Sequence, residues 1–239
     1  AFIHMNNIIK IKISSVLVII QMVLNKNTEG LNVPIIEVNG RLYSPSAERN
    51  CSTIVKLISK NIPNNGQALE IASGTGQHII QLGSQLSDIT WQPSDVNKDR
   101  IKSINSWLSE NINQNIKSPC QLDATKEGWS SRHPNQNFIL IINLLHLISF
   151  KETKILLNEA FKALAPEGFL MIYGPFMRNG KLTSQGDIDF DKKIKENNIN
   201  WGYKNDITLL KLFLKLGFLI FKTIEMPANN LAFIVKKLT

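Results

Sequence analysis

From Ser46 onward, short apolar runs of strand length alternate with stretches whose apolar residues recur at helical spacing, and this alternation constrains the fold more than any other feature. Residues 47–60 carry Ile54, Val55, Leu57 and Ile58 on one helical stripe and end at Asn61-Ile62-Pro63-Asn64-Asn65-Gly66. Residues 68–72 then form an apolar run that meets a glycine turn, after which residues 77–86 resume helical spacing through Ile79, Ile80 and Leu82. The same beat predicts strands over 89–94, 120–122, 138–145 and 168–173, with helices over 98–110 and 150–164. A long insertion, a helix over 206–216 and two closing strands over 218–225 and 231–236 follow. Strands that alternate with helices imply a parallel sheet with right-handed crossovers and a ligand crevice at the carboxyl ends of the strands. The closing pair, joined only by Met226-Pro227-Ala228-Asn229-Asn230, must be antiparallel. The expectation is an α/β, Rossmann-like, seven-stranded mostly parallel sheet with a reversed last strand and helices on both faces.

The chain has 239 residues, 43% hydrophobic and 19% charged, which is enough for one large self-supporting core. Residues 41–239 read as that domain and residues 1–40 as an amino-terminal extension. Within the extension, residues 13–24 are almost wholly apolar, too short a run to span a bilayer. Three readings stay open for it: an added element packed on the domain, an artefactual upstream extension, and a membrane anchor. No stable membrane insertion is expected of the domain. Two cysteines, Cys51 and Cys120, make neither a disulfide framework nor a zinc site, and four scattered histidines lack metal-ligand spacing. No metal is expected, and a reducing, cytoplasmic setting fits. The net charge of +8 suits phosphate-rich partners, but the lysines are spread without a basic block, so nucleic acid is disfavoured as a partner.

The glycine turn reads Glu70-Ile71-Ala72-Ser73-Gly74-Thr75-Gly76-Gln77-His78. Glycines at a strand-to-helix turn let backbone approach a ligand, and the helix amino terminus offers unpaired N–H groups. A dinucleotide fingerprint wants a glycine where Ile79 stands, and the Gly-Lys-Ser/Thr of a P-loop is absent. Asp95 ends the second strand of the series about 20 residues after the glycines, where a carboxylate accepts ribose hydroxyls. Asp123 closes the third. Helix capping by Asp95 and a simple turn at Asp123 are the competing readings, and the joint spacing weighs against them. Pro93 inside the second strand suggests a bulge.

An acidic residue two before a small-x-Gly-x-Gly run resembles motif I of S-adenosylmethionine enzymes, which implies Glu70 near the methionine end of that cofactor and Asp123 near the adenine amino group. Ala72 replaces the usual first glycine, tolerable if its φ is negative. Tyr43-Ser44-Pro45-Ser46-Ala47-Glu48-Arg49-Asn50, the glycine turn, Trp91-Gln92-Pro93-Ser94-Asp95, Tyr173-Gly174-Pro175-Phe176 and Met226-Pro227-Ala228-Asn229-Asn230 together resemble the methyltransferase-like protein 26 family of small class I methyltransferases. The resemblance implies S-adenosylmethionine as cofactor, a methyl acceptor of unstated identity, and Arg49 and Asn50 near the pocket. Ala72, Ser73, Gly74, Gly76 and Asn143 complete the expected cofactor set.

On the shared rim of strand tips, Tyr173, Pro175, Phe176, Asn229 and Asn230 are candidates for holding the acceptor, the two asparagines equally readable as turn chemistry. His146, Tyr173 and Asn230 are candidates for catalysis, with His146 either a general base or a partner for backbone beside the pocket. Asn143-Leu144-Leu145-His146 lacks the Asn/Asp-Pro-Pro-aromatic run of base-amine methylating enzymes, and Pro119-Cys120 begins its strand at the opposite rim, so Cys120 reads as structural. A small-molecule acceptor is expected, with residues 181–200 as a lid. A catalytically silent scaffold on the same fold, an RNA methyltransferase and an NAD-dependent oxidoreductase are the alternatives.

Overall fold

The computed structural model describes residues 36–38, 40–110 and 114–238, so the expectations for residues 1–35 lie outside the described residues. A short antiparallel hairpin, β1 (Ile36–Val38) and β2 (Arg41–Tyr43), leads into α1 (Pro45–Asn61). Ser44 caps α1 through its hydroxyl and Pro45 opens it, as a helix start with no use for that N–H allows. Then come β3 (Gly66–Ile71), α2 (Gln77–Gln85), β4 (Ile89–Asp95), α3 (Lys98–Glu110), β5 (Cys120–Gln121), β6 (Gln136–Ile142), α4 (Phe150–Ala163) and β7 (Leu164–Met177). The chain continues through α5 (Gln185–Asn197), β8 (Lys204–Asn205), α6 (Asp206–Leu216), β9 (Phe218–Met226) and β10 (Asn230–Lys237).

The sheet order is β5-β4-β3-β6-β7-β10-β9, with β8 beside the end of β7. β10 runs antiparallel to both neighbours, while β3, β4, β5, β6 and β7 pair in parallel. This is the expected mostly parallel sheet with one reversed strand. Alternation along each strand feeds two cores. Leu69, Ile141, Ile172 and Phe233 pack under α4 and α6, whereas Ala68, Leu140, Met171 and Ile234 pack under α1 and α2. The chain runs outward from β3 through β4 to β5 and then returns to the other side of β3 as β6, so the topological switch lies between β3 and β6.

Pro93 does not cause the expected bulge, because β3 and β4 stay in register through Glu70↔Pro93 and Ile71↔Ser94. Trp91 and Asp95, two residues to either side, bond away from β3, to Asn115, Lys117 and Leu122. The missing N–H of Pro93 therefore faces the β5 side, where the ladder is only two residues long and costs little. The strand expected over 168–173 is β7 and runs from Leu164 to Met177, which changes the facing of its last residues. The insertion contains a helix, α5, that sequence periodicity does not announce.

Candidate active site

The first strand after α1 sets the site. β3 ends at Ile71, and the next five residues turn sharply into α2, with Ala72 at φ 56°, Gly74 at φ 60° and Gly76 at φ 95°. Ala72 thus sits in the left-handed region, contrary to the condition on which an alanine there was expected to be harmless. Such a conformation costs an L-residue roughly 1 kcal/mol or more. Ala72→Gly should therefore raise the midpoint of thermal unfolding by a few degrees, on the order of 1 kcal/mol, as read by calorimetry. A side chain added at Gly74 would meet only the Ala72 carbonyl at 3.9 Å, so this turn is open on its outer side. At Gly76 the added carbon would lie 3.0 Å from Trp107 and 3.2 Å from the Ile104 backbone. Gly76 is required by packing against α3 and does not line the cleft.

A cleft of about 740 Å³ opens over this turn, within the range of pockets that bury small ligands. Glu70, Ala72, Ser73 and Gly74 form its floor beside Arg49 and Asn50 of α1. Asn143, His146, Tyr173, Pro175 and Asn230 close the other side. Gln77 ties the two helix starts together: its amide oxygen accepts from Ser44 N at 2.7 Å and Thr75 Oγ1 at 2.8 Å, and its nitrogen donates to Glu48 at 3.1 Å.

Glu70 is buried, and its Oε2 has no partner. Burial pushes its carboxyl up to about 8, opposed by a hydrogen bond with Ser73 and reinforced by the charge of Asp95. Asp95 is also buried but stands behind the turn, outside the cleft lining. Its Oδ2 accepts from Gly74 N at 3.0 Å and lies 3.7 Å from Arg100, while Oδ1 accepts from Asn97 N at 2.9 Å. It braces the glycine turn and fixes Asn97, whose own Oδ1 accepts from Asp99 N and Arg100 N, so the cap of α3 is Asn97 and not Asp95. Asp123 is half-buried and accepts from Thr125 N and Thr125 Oγ1 within its own turn, and it does not line the cleft.

Two acceptor candidates are corrected. Phe176 packs in the core, its ring 5.0 Å from that of Phe233. Because β7 continues to Met177, strand alternation sends Phe176 to the face opposite Tyr173 and Pro175. Asn229 turns its amide to Asp187 at 3.2 Å and does not line the cleft. Asn230 does line it, with its amide nitrogen donating to Pro227 O at 2.9 Å. Ala228 and Asn229 at φ 56° and 58° form the tight turn, so turn chemistry accounts for much of this pair. Arg178 locks that turn to the end of β7, with two bonds to Glu225 and others to Asn229 O and Asn230 O.

His146 is buried, and its ring lies 5.8 Å from Phe190 and 6.4 Å from Tyr203. Burial, helped by the charge of Lys204, lowers its pKa to about 3, so the ring is neutral and a feeble base. Phe190 and Tyr203, both from the insertion, were missed because that stretch has no helical or strand period to place them. His78, absent from the expected site residues, also lines the cleft, and its Nε2 meets Asn50 Oδ1 at 2.8 Å. Its position in the first turn after the glycines was the available signal. Cys120 is half-buried beside His133 at 4.0 Å, away from the cleft, and burial raises its pKa. Cys120→Ser should leave ligand affinity at this cleft unchanged within error by calorimetry.

The model of a family described as a protein of unknown function, DUF938, matches residues 41–237. The chain belongs to that family. The DUF938 chain is also similar to solved structures of methyltransferases. An O-methyltransferase family protein from Burkholderia thailandensis matches with TM-score 0.68 at 13% identity, over 81% of this chain and 58% of that one. Human N-acetylserotonin methyltransferase, solved in complex with SAM, matches with TM-score 0.67 at 12% identity, over 81% and 53%. Phosphoethanolamine N-methyltransferase 2 of Haemonchus contortus, in complex with S-adenosyl-L-methionine, gives 0.63 at 14%, over 79% and 52%. The DUF938 chain thus spans little more than half the length of these proteins, and the likeness is one of fold. The fold is that of class I methyltransferases.

Proposed function

We propose that this protein is an S-adenosylmethionine-dependent methyltransferase acting on a small-molecule acceptor, and that within its family it is of the methyltransferase-like protein 26 kind. One observation carries the reading: a buried carboxylate oxygen without a partner, Glu70 Oε2, borders a cleft floored by an open glycine turn. A desolvated, unpaired carboxylate asks for a cationic group, and an amino acid ammonium beside a sulfonium supplies one. The α2 amino terminus has no side-chain cap at Gly76, so donors remain for polar ligand atoms. These features fit the cofactor.

Glu70 would hold the methionine ammonium and Arg49 its carboxylate, while Ala72, Ser73 and Gly74 form the backbone wall. Asp95 would act from behind, through the glycine turn that it braces, and Asn143, which lines the cleft, would flank the adenine. When bound, the cofactor supplies a methyl carbon made electrophilic by the positive sulfur. Tyr173 and Pro175 would position the acceptor in line with that carbon and exclude water, the step in which alignment accounts for most of the rate. No helix among the described residues is long and apolar enough to cross a membrane.

Calorimetry with S-adenosylmethionine, S-adenosylhomocysteine and NAD tests the reading. The first two should bind and NAD should not; absence of binding by the first two sinks the enzyme. Because burial keeps the Glu70 proton on near neutrality, a cationic ligand should expel it. At about pH 6.5, titrations in buffers of different ionisation enthalpy should show close to one proton released per S-adenosylmethionine, and none in Glu70→Gln. Cofactor binding without turnover of any acceptor would favour the scaffold.

A further inference from the structure

Among the described residues, three ionic side chains line the cleft, Arg49, Glu70 and Arg100, and all stand on elements that flank the glycine turn: α1, the end of β3 and the start of α3. The other half, across β6 in the sheet order and walled by β7, the insertion and the β9–β10 turn, has none. Charged residues do surround that half, but each is held by its own neighbours and stays out of the lining. Arg178 is bound to Glu225 and to the carbonyls of Phe176, Asn229 and Asn230. Asp187 accepts from Thr183, Ser184, Tyr203 and Asn229. Asp191 takes Lys195 and the Tyr203 N–H, and Lys204 donates to Ile148 O and Gly202 O.

Ring surface lines this half instead. Phe190 and Tyr203 meet at 6.2 Å and 73°, and His146 lies 5.8 Å from the first and 6.4 Å from the second, at 57° and 59°. Three rings so inclined form a corner, in which a flat molecule laid on one ring turns its edge to the others, the arrangement that aromatic pairs prefer. The corner is fixed from outside, because Asp187 ties Tyr203, Thr183 and Ser184 of the insertion to Asn229 in the β9–β10 turn. The buried His146 ring, to which no carboxylate among the described residues is bonded, is neutral. Tyr173, Asn143 and Asn230 supply a hydroxyl and two amides, also neutral, and the Asn230 amide nitrogen is already taken by Pro227 O and Ala228 O. Such groups hold a polar substituent by hydrogen bonds but cannot balance a charge.

Desolvation then decides which acceptor fits. An ion brought into this half gives up its water and meets no opposite charge on the protein, whereas a neutral ring gives up little and gains ring contacts. We propose that the acceptor is an uncharged aromatic molecule, seated in the corner of Phe190, Tyr203 and His146 with its polar substituent among Tyr173, Asn143 and Asn230. The inference rests on the reading of the cleft as an S-adenosylmethionine site, in which Glu70 and Arg49 are taken by the cofactor and only the uncharged half is left for the acceptor.

The test uses the full chain loaded with S-adenosylhomocysteine and four probes of one shape at neutral pH, naphthol, decahydronaphthol, naphthoate and naphthylmethylammonium, each substituted at the same ring position and titrated by calorimetry. Naphthol should bind at least about 30-fold more tightly than either ion, because each ion would be buried unpaired. It should bind about 10-fold more tightly than the saturated alcohol, which fills the corner without ring-on-ring contact. Phe190→Leu keeps apolar volume but removes one ring, and should weaken naphthol about 5-fold and decahydronaphthol less than about twofold. An unchanged Kd for S-adenosylhomocysteine in that variant shows that the fold is kept. An ion or the saturated alcohol bound as tightly as naphthol, naphthol indifferent to Phe190→Leu, or no probe bound to the loaded chain would each overturn the inference. Failure to bind S-adenosylhomocysteine would instead overturn the cofactor reading beneath it.

Discussion

Asp95→Ala should weaken S-adenosylmethionine binding about 100-fold, with calorimetry as the measurement. The carboxylate accepts from Gly74 N and Asn97 N and is buried, so its removal leaves two backbone donors unsatisfied at the edge of the cleft. Each bond to a charged acceptor contributes about 1.5 to 3 kcal/mol, enough for the turn to lose its shape beneath the ligand. Asp95→Asn keeps one acceptor oxygen and should fall between the two. A loss below about threefold for alanine would mean that the turn holds its shape without Asp95.

Glu159→Ala should lower the unfolding free energy by about 3 kcal/mol, read from urea denaturation. Glu159 is buried on α4, and its Oε2 accepts from Gly128 N at 2.9 Å, Ser130 N at 3.1 Å and Ser130 Oγ at 2.7 Å, while Lys162 pairs with Oε1 at 2.7 Å. Burial alone would raise its pKa, but these bonds prevail and bring it down to about 2. A carboxyl depressed in the folded state stabilises it fully above the unfolded value and loses that contribution as pH falls through the folded one. Wild-type stability should therefore decline between about pH 4.5 and about pH 2, and the alanine variant should be flatter over that window. An unchanged slope would assign the acid sensitivity to other carboxylates. The same residue holds the turn Trp129–Arg132, whose indole donates to Ala124 O, next to Asp123.

The layered sheet was legible because strand and helix periods are encoded locally, residue by residue, and the reversed final pair followed from a connection too short for a crossover. The glycine turn was legible for the same reason. The parts that escaped depend on tertiary facts. Phe176 was misread because one cannot see from an apolar run whether a strand stops at Tyr173 or continues to Met177, and parity decides which face a ring takes. Phe190 and Tyr203 come from a polar insertion whose helix earns its place only by packing over the cleft. His146 kept its expected location, but its chemistry comes from burial and Lys204, neither of which spacing reveals. The bulge expected at Pro93 failed on a question of direction, since a missing donor disturbs only the side on which it would have bonded.

β10 follows β9 in chain order, yet it occupies an interior slot between β7 and β9. During synthesis, β7 must therefore wait with an unpaired flank until residues 230–237 emerge, and β9 has no berth in the meantime. The rim that carries Tyr173 and Pro175 acquires its neighbour, Asn230, only at that last docking event. Nascent or truncated forms would expose a long apolar edge, the kind of surface that recruits chaperones or other strands.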